Sequence, residues 1–144
     1  MHFTQVASEH RLKAWRELRK NLRDSSIQEV VENFSIVPEK IRYIDYYTPK
    51  SWPSPFEIVS EGMFCQSGIT IVLVATLIDL GFVNTETLHF DVISSQIDSV
   101  EGLVFKHNKH YYNFIPGQVS TVADVRNSGT VFDTHIIAAD KLFD

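Results

Sequence analysis

Cysteine is almost absent from this 144-residue chain: Cys65 stands alone. A lone thiol excludes an intrachain disulfide and also the paired-cysteine spacing of a structural zinc site. His107 and His110 lie three residues apart but far from that cysteine, so no metal site is expected. A glycine-rich phosphate loop and a dinucleotide fingerprint are both missing, which argues against a nucleotide enzyme and leaves no cofactor to expect. No repeat, low-complexity tract or interdomain linker divides the chain. Residues 1–9 carry no basic, apolar leader, and with the unpaired cysteine this predicts a reducing, cytoplasmic setting. Compact size without a targeting signal also suits an accessory protein of a phage or mobile element, which would put it in the host cytoplasm. The longest apolar run, residues 68–80, is too short to cross a bilayer and includes Asp79, so no membrane partner is expected.

What is present is enough for one domain over residues 1–144. Hydrophobic residues make up 44%, charged residues 22% and aromatics 12%, the composition of a globular fold with its own core. The net charge of −5 is unevenly spread. Residues 1–24 carry Arg11, Lys13, Arg16, Arg19, Lys20 and Arg23 against Glu9, Glu17 and Asp24, a local excess of three positive charges. This basic stretch reads as the solvated face of a helix opposite Leu12, Trp15, Leu18 and Leu22. No second basic cluster extends it, so no nucleic-acid partner is expected.

The periodicity predicts α+β architecture: N-terminal helices and a central cysteine-bearing helix packed on an antiparallel sheet. Residues 8–23 give an amphipathic helix. Ser26 and Glu29 form a capping-box pattern that opens a second helix with Ile27, Val30, Val31 and Phe34 on one face, ended before Pro38. The two make a helical hairpin over residues 1–37. Ser54-Pro55-Phe56-Glu57 supplies an N-cap, a proline at N1 and a glutamate at N3, so a short helix should run from 55 to 61 and stop at Gly62. Residues 65–80 are rich in β-branched side chains, yet the uninterrupted length and the Gly81 stop favour a helix apolar nearly all round. Strands are expected at 87–93, 100–107, 110–115, 119–125 and 130–138, the second and third joined by an Asn108-Lys109 turn.

Cys65 stands where that central helix begins. Unpaired backbone N–H groups and the positive end of the helix dipole favour a thiolate there, although a free cysteine equally serves as a small buried hydrophobe. The stretch from Trp52 to Gly81 orders its parts distinctively: an aromatic-proline segment, a short helix beginning Pro-Phe-Glu, a glycine, the cysteine, a long helix and a Leu-Gly exit into strands. In this order it resembles the transglutaminase-like members of the papain-like superfamily, a resemblance covering residues 50–116 within an expected α+β core of 50–138. The resemblance implies Cys65 as nucleophile, a histidine at the start of the second core strand as general base, and an Asp or Asn on the third strand to orient it. The chain departs from that pattern, because residues 100–102 offer only Glu101 as an ionisable group. Asn113 is the one candidate orienter, and the histidines within the core are His89, His107 and His110. Candidate catalytic residues are therefore Cys65, His89, His110 and Asn113, with Gln66 and the helix N–H groups as oxyanion donors.

Two functions follow. A non-catalytic module would use the aromatic segment 43–52 and the acidic surface to engage a protein or peptide partner. A thiol-dependent peptidase, amidase or transamidase would use Cys65 to attack a carbonyl. The missing histidine tilts the sequence reading toward the module.

Overall fold

The computed structural model describes residues 2–35, 42–96 and 100–144. Pro38, read above as the stop of the second helix, lies outside them.

The central helix α4 is Gln66–Asp79, and every residue from Ser67 to Leu77 is buried. Its β-branched side chains do not make it a strand, because a segment enclosed on all sides gains from apolar surface in every direction. Leu80 caps it and Gly81 follows at φ 83°, a left-handed conformation that glycine adopts without steric cost.

Among the described residues five antiparallel strands form one sheet: β1 Thr87–Ser95, β2 Glu101–His107, β3 His110–Tyr112, β4 Val119–Thr121 and β5 Gly129–Ala138, in the spatial order β4-β3-β2-β1-β5. The sheet alternates strictly where it matters. Leu88, Phe90 and Val92 of β1 join the main core with α4, and so do Leu103 and Phe105 of β2. The opposite face carries a smaller cluster of Ile93, Val104, Tyr111 and Val125. The Asn108-Lys109 turn pairs His107 with His110, both turn residues having positive φ (49° and 65°), as a two-residue hairpin turn requires.

One strand was misread. Residues 119–125 form only the three-residue β4, after which helix α5 runs Val122–Ser128. The reason is capping: the Thr121 side chain accepts the Asp124 N–H at 3.1 Å and turns the chain into a helix. α5 covers the second face of the sheet through Val125.

Helices α1 (Arg11–Asn21), α2 (Ile27–Glu32) and α3 (Pro55–Glu61) surround α4, with α1 resting on α3 and α2 on α4. Both capping boxes are formed, Ser26 with Glu29 and Ser54 with Glu57. α3 ends at Gly62, whose φ is 70°. Trp15 is buried and donates its indole N–H to Thr76 Oγ1 at 3.0 Å, tying α1 to the central helix. Leu22 is buried beside it, whereas Leu12, placed above on the same stripe, is 42% exposed. The Arg11 guanidinium lies 5.6 Å over the Phe64 ring and donates to the Ser60 carbonyl.

Candidate functional site

Cys65 is the N-cap of α4, with extended φ and ψ, and its sulfur accepts the Gly68 N–H at 3.3 Å. The residue is 5% exposed. Position 68 must be glycine for this geometry, because a Cβ there would stand 2.0 Å from the Met63 carbonyl oxygen. The loop before the cysteine is thus folded tightly over the first turn of the helix.

Gln66, named above as an oxyanion donor, is engaged with the sheet. Its side-chain amide acts like an extra piece of strand beside β2: Oε1 accepts the Leu103 N–H at 2.9 Å, and Nε2 donates to the Leu103 carbonyl at 2.7 Å. Both ends of the amide are used in holding the helix start to the sheet. Gly102 leaves room for it, since a Cβ there would come within 2.2 Å of Gln66 Oε1. Nearby, Asn113 is buried at φ 71° and donates to Thr70 Oγ1 at 2.8 Å, while Thr70 donates to the Leu103 carbonyl at 2.9 Å. Asn113 therefore lies on the α4 side of the sheet but is bonded to Thr70, not to an imidazole.

The histidine positions are the decisive geometry. His89 alternates with Leu88 and Phe90, so it points to the face of the sheet opposite α4, where its Nε2 meets Asp91 Oδ1 at 2.8 Å. His110 sits beside His107 at the far turn of the β2–β3 hairpin, four residues along β2 from Leu103, roughly 13 Å at about 3.3 Å per residue. Its Nδ1 is 2.9 Å from the Asn108 carbonyl oxygen. Neither histidine proposed as a base for Cys65 stands beside it, because strand alternation removes one and strand length removes the other. The remaining imidazoles are also engaged: His2 with Asn33, His10 near Glu9, His107 stacked on Phe105, and His135 with the Tyr46 carbonyl. None of the six hydrogen-bonds to Cys65.

Glu101 occupies the start of β2, where the resemblance called for a histidine. Its Oε1 accepts the Tyr46 hydroxyl at 3.0 Å and the Tyr47 hydroxyl at 2.5 Å. The bond to Glu101 is the main reason the Tyr47 phenol is pushed up to about 12; for Tyr46, burial raises the pKa first and the Glu101 bond second. The Cys65 sulfur adds to the Tyr46 shift, so the two residues are in electrostatic range. Trp52 closes the wall, with its indole N–H on the Asp45 carbonyl at 3.0 Å and its ring edge-on to Phe90 and His135. Sequence reading assigned the aromatics of 43–52 to a partner surface and singled out Glu101 as the only ionisable group in its stretch. It gave no hint that they bond to each other, or that His135, distant in sequence, joins them.

No known protein-family profile matches the chain, and no curated protein matches it. Solved structures do. Calcium-bound LapG of Legionella pneumophila superposes with a TM-score of 0.65 at 16% identity, over 94% of this chain and 82% of that one. LapG in a second structure gives 0.64 at 17% identity over the same shares, and the EGTA-treated form gives 0.64 at 16% identity over 94% and 79%. At such identities the likeness is one of fold, and it supports a divergent fold relationship.

Proposed function

We propose that this protein is a transglutaminase-like fold that engages a protein or peptide chain at the Cys65 end of its sheet without using the thiol as a nucleophile. One observation carries the reading: at the start of β2 stands Glu101, held by Tyr46 and Tyr47, and no imidazole bonds to Cys65. A carboxylate clamped by two phenols accepts hydrogen bonds and does not activate a 5%-exposed thiol. The Tyr47 ring and Trp52 offer aromatic surface of the kind that anchors peptide contacts.

The thiol-dependent reading has its own support. The likeness to LapG over 94% of this chain speaks for it more directly than for the binding module, and Cys65 holds the helix-start position that such chemistry uses. Calcium is not carried over from the calcium-bound LapG, because among the described residues no three His, Cys, Asp or Glu side chains are grouped to hold a metal ion.

Fluorescence anisotropy with a library of extended peptides, together with intact-mass analysis of the protein after incubation, separates the two readings. The proposal expects binding that persists in Cys65→Ala and weakens in the double variant Tyr47→Phe, Glu101→Gln, with the protein mass unchanged. Peptide cleavage, or an acyl adduct on Cys65, either one abolished by Cys65→Ala, would establish the enzyme instead.

A further inference from the structure

The two edges of the sheet are unlike. One ends in β4, three residues long and leading directly into α5. The other is β5, ten residues long, with no residue buried and with Val131, Phe132 and Ile136 at 46%, 57% and 58% exposure. Its sequence contains no lysine, arginine or proline, the residues that commonly guard an edge strand against pairing.

Its backbone alternation can be worked out. Ala139 N–H bonds to the Glu86 carbonyl at 2.8 Å, so in this antiparallel ladder Ile137, His135 and Asp133 face β1, while Ala138, Ile136 and Thr134 direct their N–H and C=O outward. Consistently, the Thr134 N–H is bonded to the side chain of Asp133 at 2.9 Å and not to a neighbouring strand. Among the described residues no other strand lies on this outer side. Phe132 is the extra residue of a bulge, opposite neither Val92 nor Ile93, so its ring is committed to no neighbour in β1.

The order of residues supplies the occupant. Phe132-Asp133-Thr134-His135-Ile136 is complementary about its centre: apolar residues stand at both ends, and an acid and an imidazole occupy the mirror positions on either side of Thr134. An antiparallel copy with its twofold axis at Thr134 places Thr134 opposite itself, with both outward N–H and C=O groups in a hydrogen-bonded pair. It places Asp133 opposite the partner's His135 and Phe132 opposite the partner's Ile136. Slipping the register by two residues sets Asp133 opposite Asp133 or His135 opposite His135, with like groups facing. We propose that β5 is the dimer interface of this protein, pairing two copies about Thr134 into one continuous ten-stranded sheet.

Analytical ultracentrifugation of the full chain over a micromolar concentration series tests this, with disulfide trapping as the second measurement. The expected result is a monomer–dimer equilibrium that Ile136→Lys weakens on the order of tenfold or more. Ile136 is exposed, so this variant keeps the core, and circular dichroism verifies its fold. Thr134→Cys in a Cys65→Ala background should cross-link to itself under mild oxidation, because residues opposite at a hydrogen-bonded pair have Cα atoms about 5.5 Å apart, within disulfide reach. A protein monomeric throughout the series would overturn the proposal, whether or not it binds extended peptides along this edge. So would a dimer indifferent to Ile136→Lys and unlinked by Thr134→Cys.

Discussion

The two faces of the sheet hold complementary halves of a catalytic pair and keep them apart. On the α4 face Cys65 has a helix start and no imidazole bonded to it, His135 there being held by the Tyr46 carbonyl; on the other face His89 has a carboxylate partner and no nucleophile. Asp91 is 3% exposed and accepts hydrogen bonds from Thr134 at 2.6 Å, from Tyr111 and from His89. Burial alone would raise its pKa, but these three donors outweigh it and hold the carboxyl below its ordinary value. Burial first, and the bond to Asp91 second, drive the Tyr111 phenol strongly upward. Each face thus satisfies one carboxylate, Asp91 with Thr134, Tyr111 and His89 and Glu101 with the two phenols. The difference teaches that possession of cysteine, histidine and carboxylate says little until strand alternation has assigned each to a side.

The largest expected effect is on the Asp91 face. Asp91→Ala strands the Tyr111 hydroxyl and removes the acceptor of Thr134 and His89, and about 3 kcal/mol of stability should be lost in urea denaturation. The pH dependence has a definite sign. A carboxyl with a depressed folded pKa contributes stability that is fully present above its unfolded value, near 3.9, and is lost as pH falls through the folded value. Wild type should therefore lose stability below about pH 4 more steeply than Asp91→Asn. Equal acid slopes for the two proteins would show that Asp91 is not the ionised centre of this face.

On the Cys65 face the corresponding structural element is neutral. Gln66→Ala removes both bonds to the Leu103 backbone and leaves its N–H and C=O in want of partners, with an expected cost of about 2 kcal/mol. Gly102→Ala should destabilise by a similar mechanism, since the added methyl meets Gln66 Oε1 at 2.2 Å and displaces the amide. If Gln66→Ala unfolded at the wild-type midpoint, the amide would not be what docks the helix start.

Much of this arrangement could be read in the chain, and the failures have local causes. The capping boxes at Ser26 and Ser54, the left-handed stop at Gly62 and the buried helix of 66–79 depend on residues within four positions of each other, so sequence spacing displays them. Thr121 and Asp124 held the same kind of signal in weaker form, a threonine cap in front of a β-branched residue, and the strand reading of 119–125 overrode it. The site was less accessible. Gln66 and Leu103 are 37 positions apart and Tyr46 and Glu101 are 55 apart, and such pairings are fixed by sheet register and loop path. The departure at Glu101 was visible only because a resemblance had supplied the position to inspect.

The smallest expected effect concerns the thiol itself. The Cys65 side chain accepts one hydrogen bond, from the Gly68 N–H, and a sulfur acceptor at 3.3 Å is a weak cap beside serine or aspartate. Cys65→Ala should fold normally and lose no more than about 1 kcal/mol, the lower part of the range for removing a cap and a small buried side chain. With 5% exposure and no imidazole bonded to it, Cys65 should react with iodoacetamide no faster than a free small-molecule thiol. Glu101→His would place an imidazole where the resemblance calls for one; if the backbone geometry of the α4 face is otherwise competent, alkylation should accelerate and follow the titration of that histidine near pH 6.5. Rapid alkylation already in the wild type, abolished by His135→Asn and unaffected by His89→Asn, would show that the Tyr46 wall moves aside to let His135 reach the sulfur, and the separation of the two faces would then no longer imply an inert thiol.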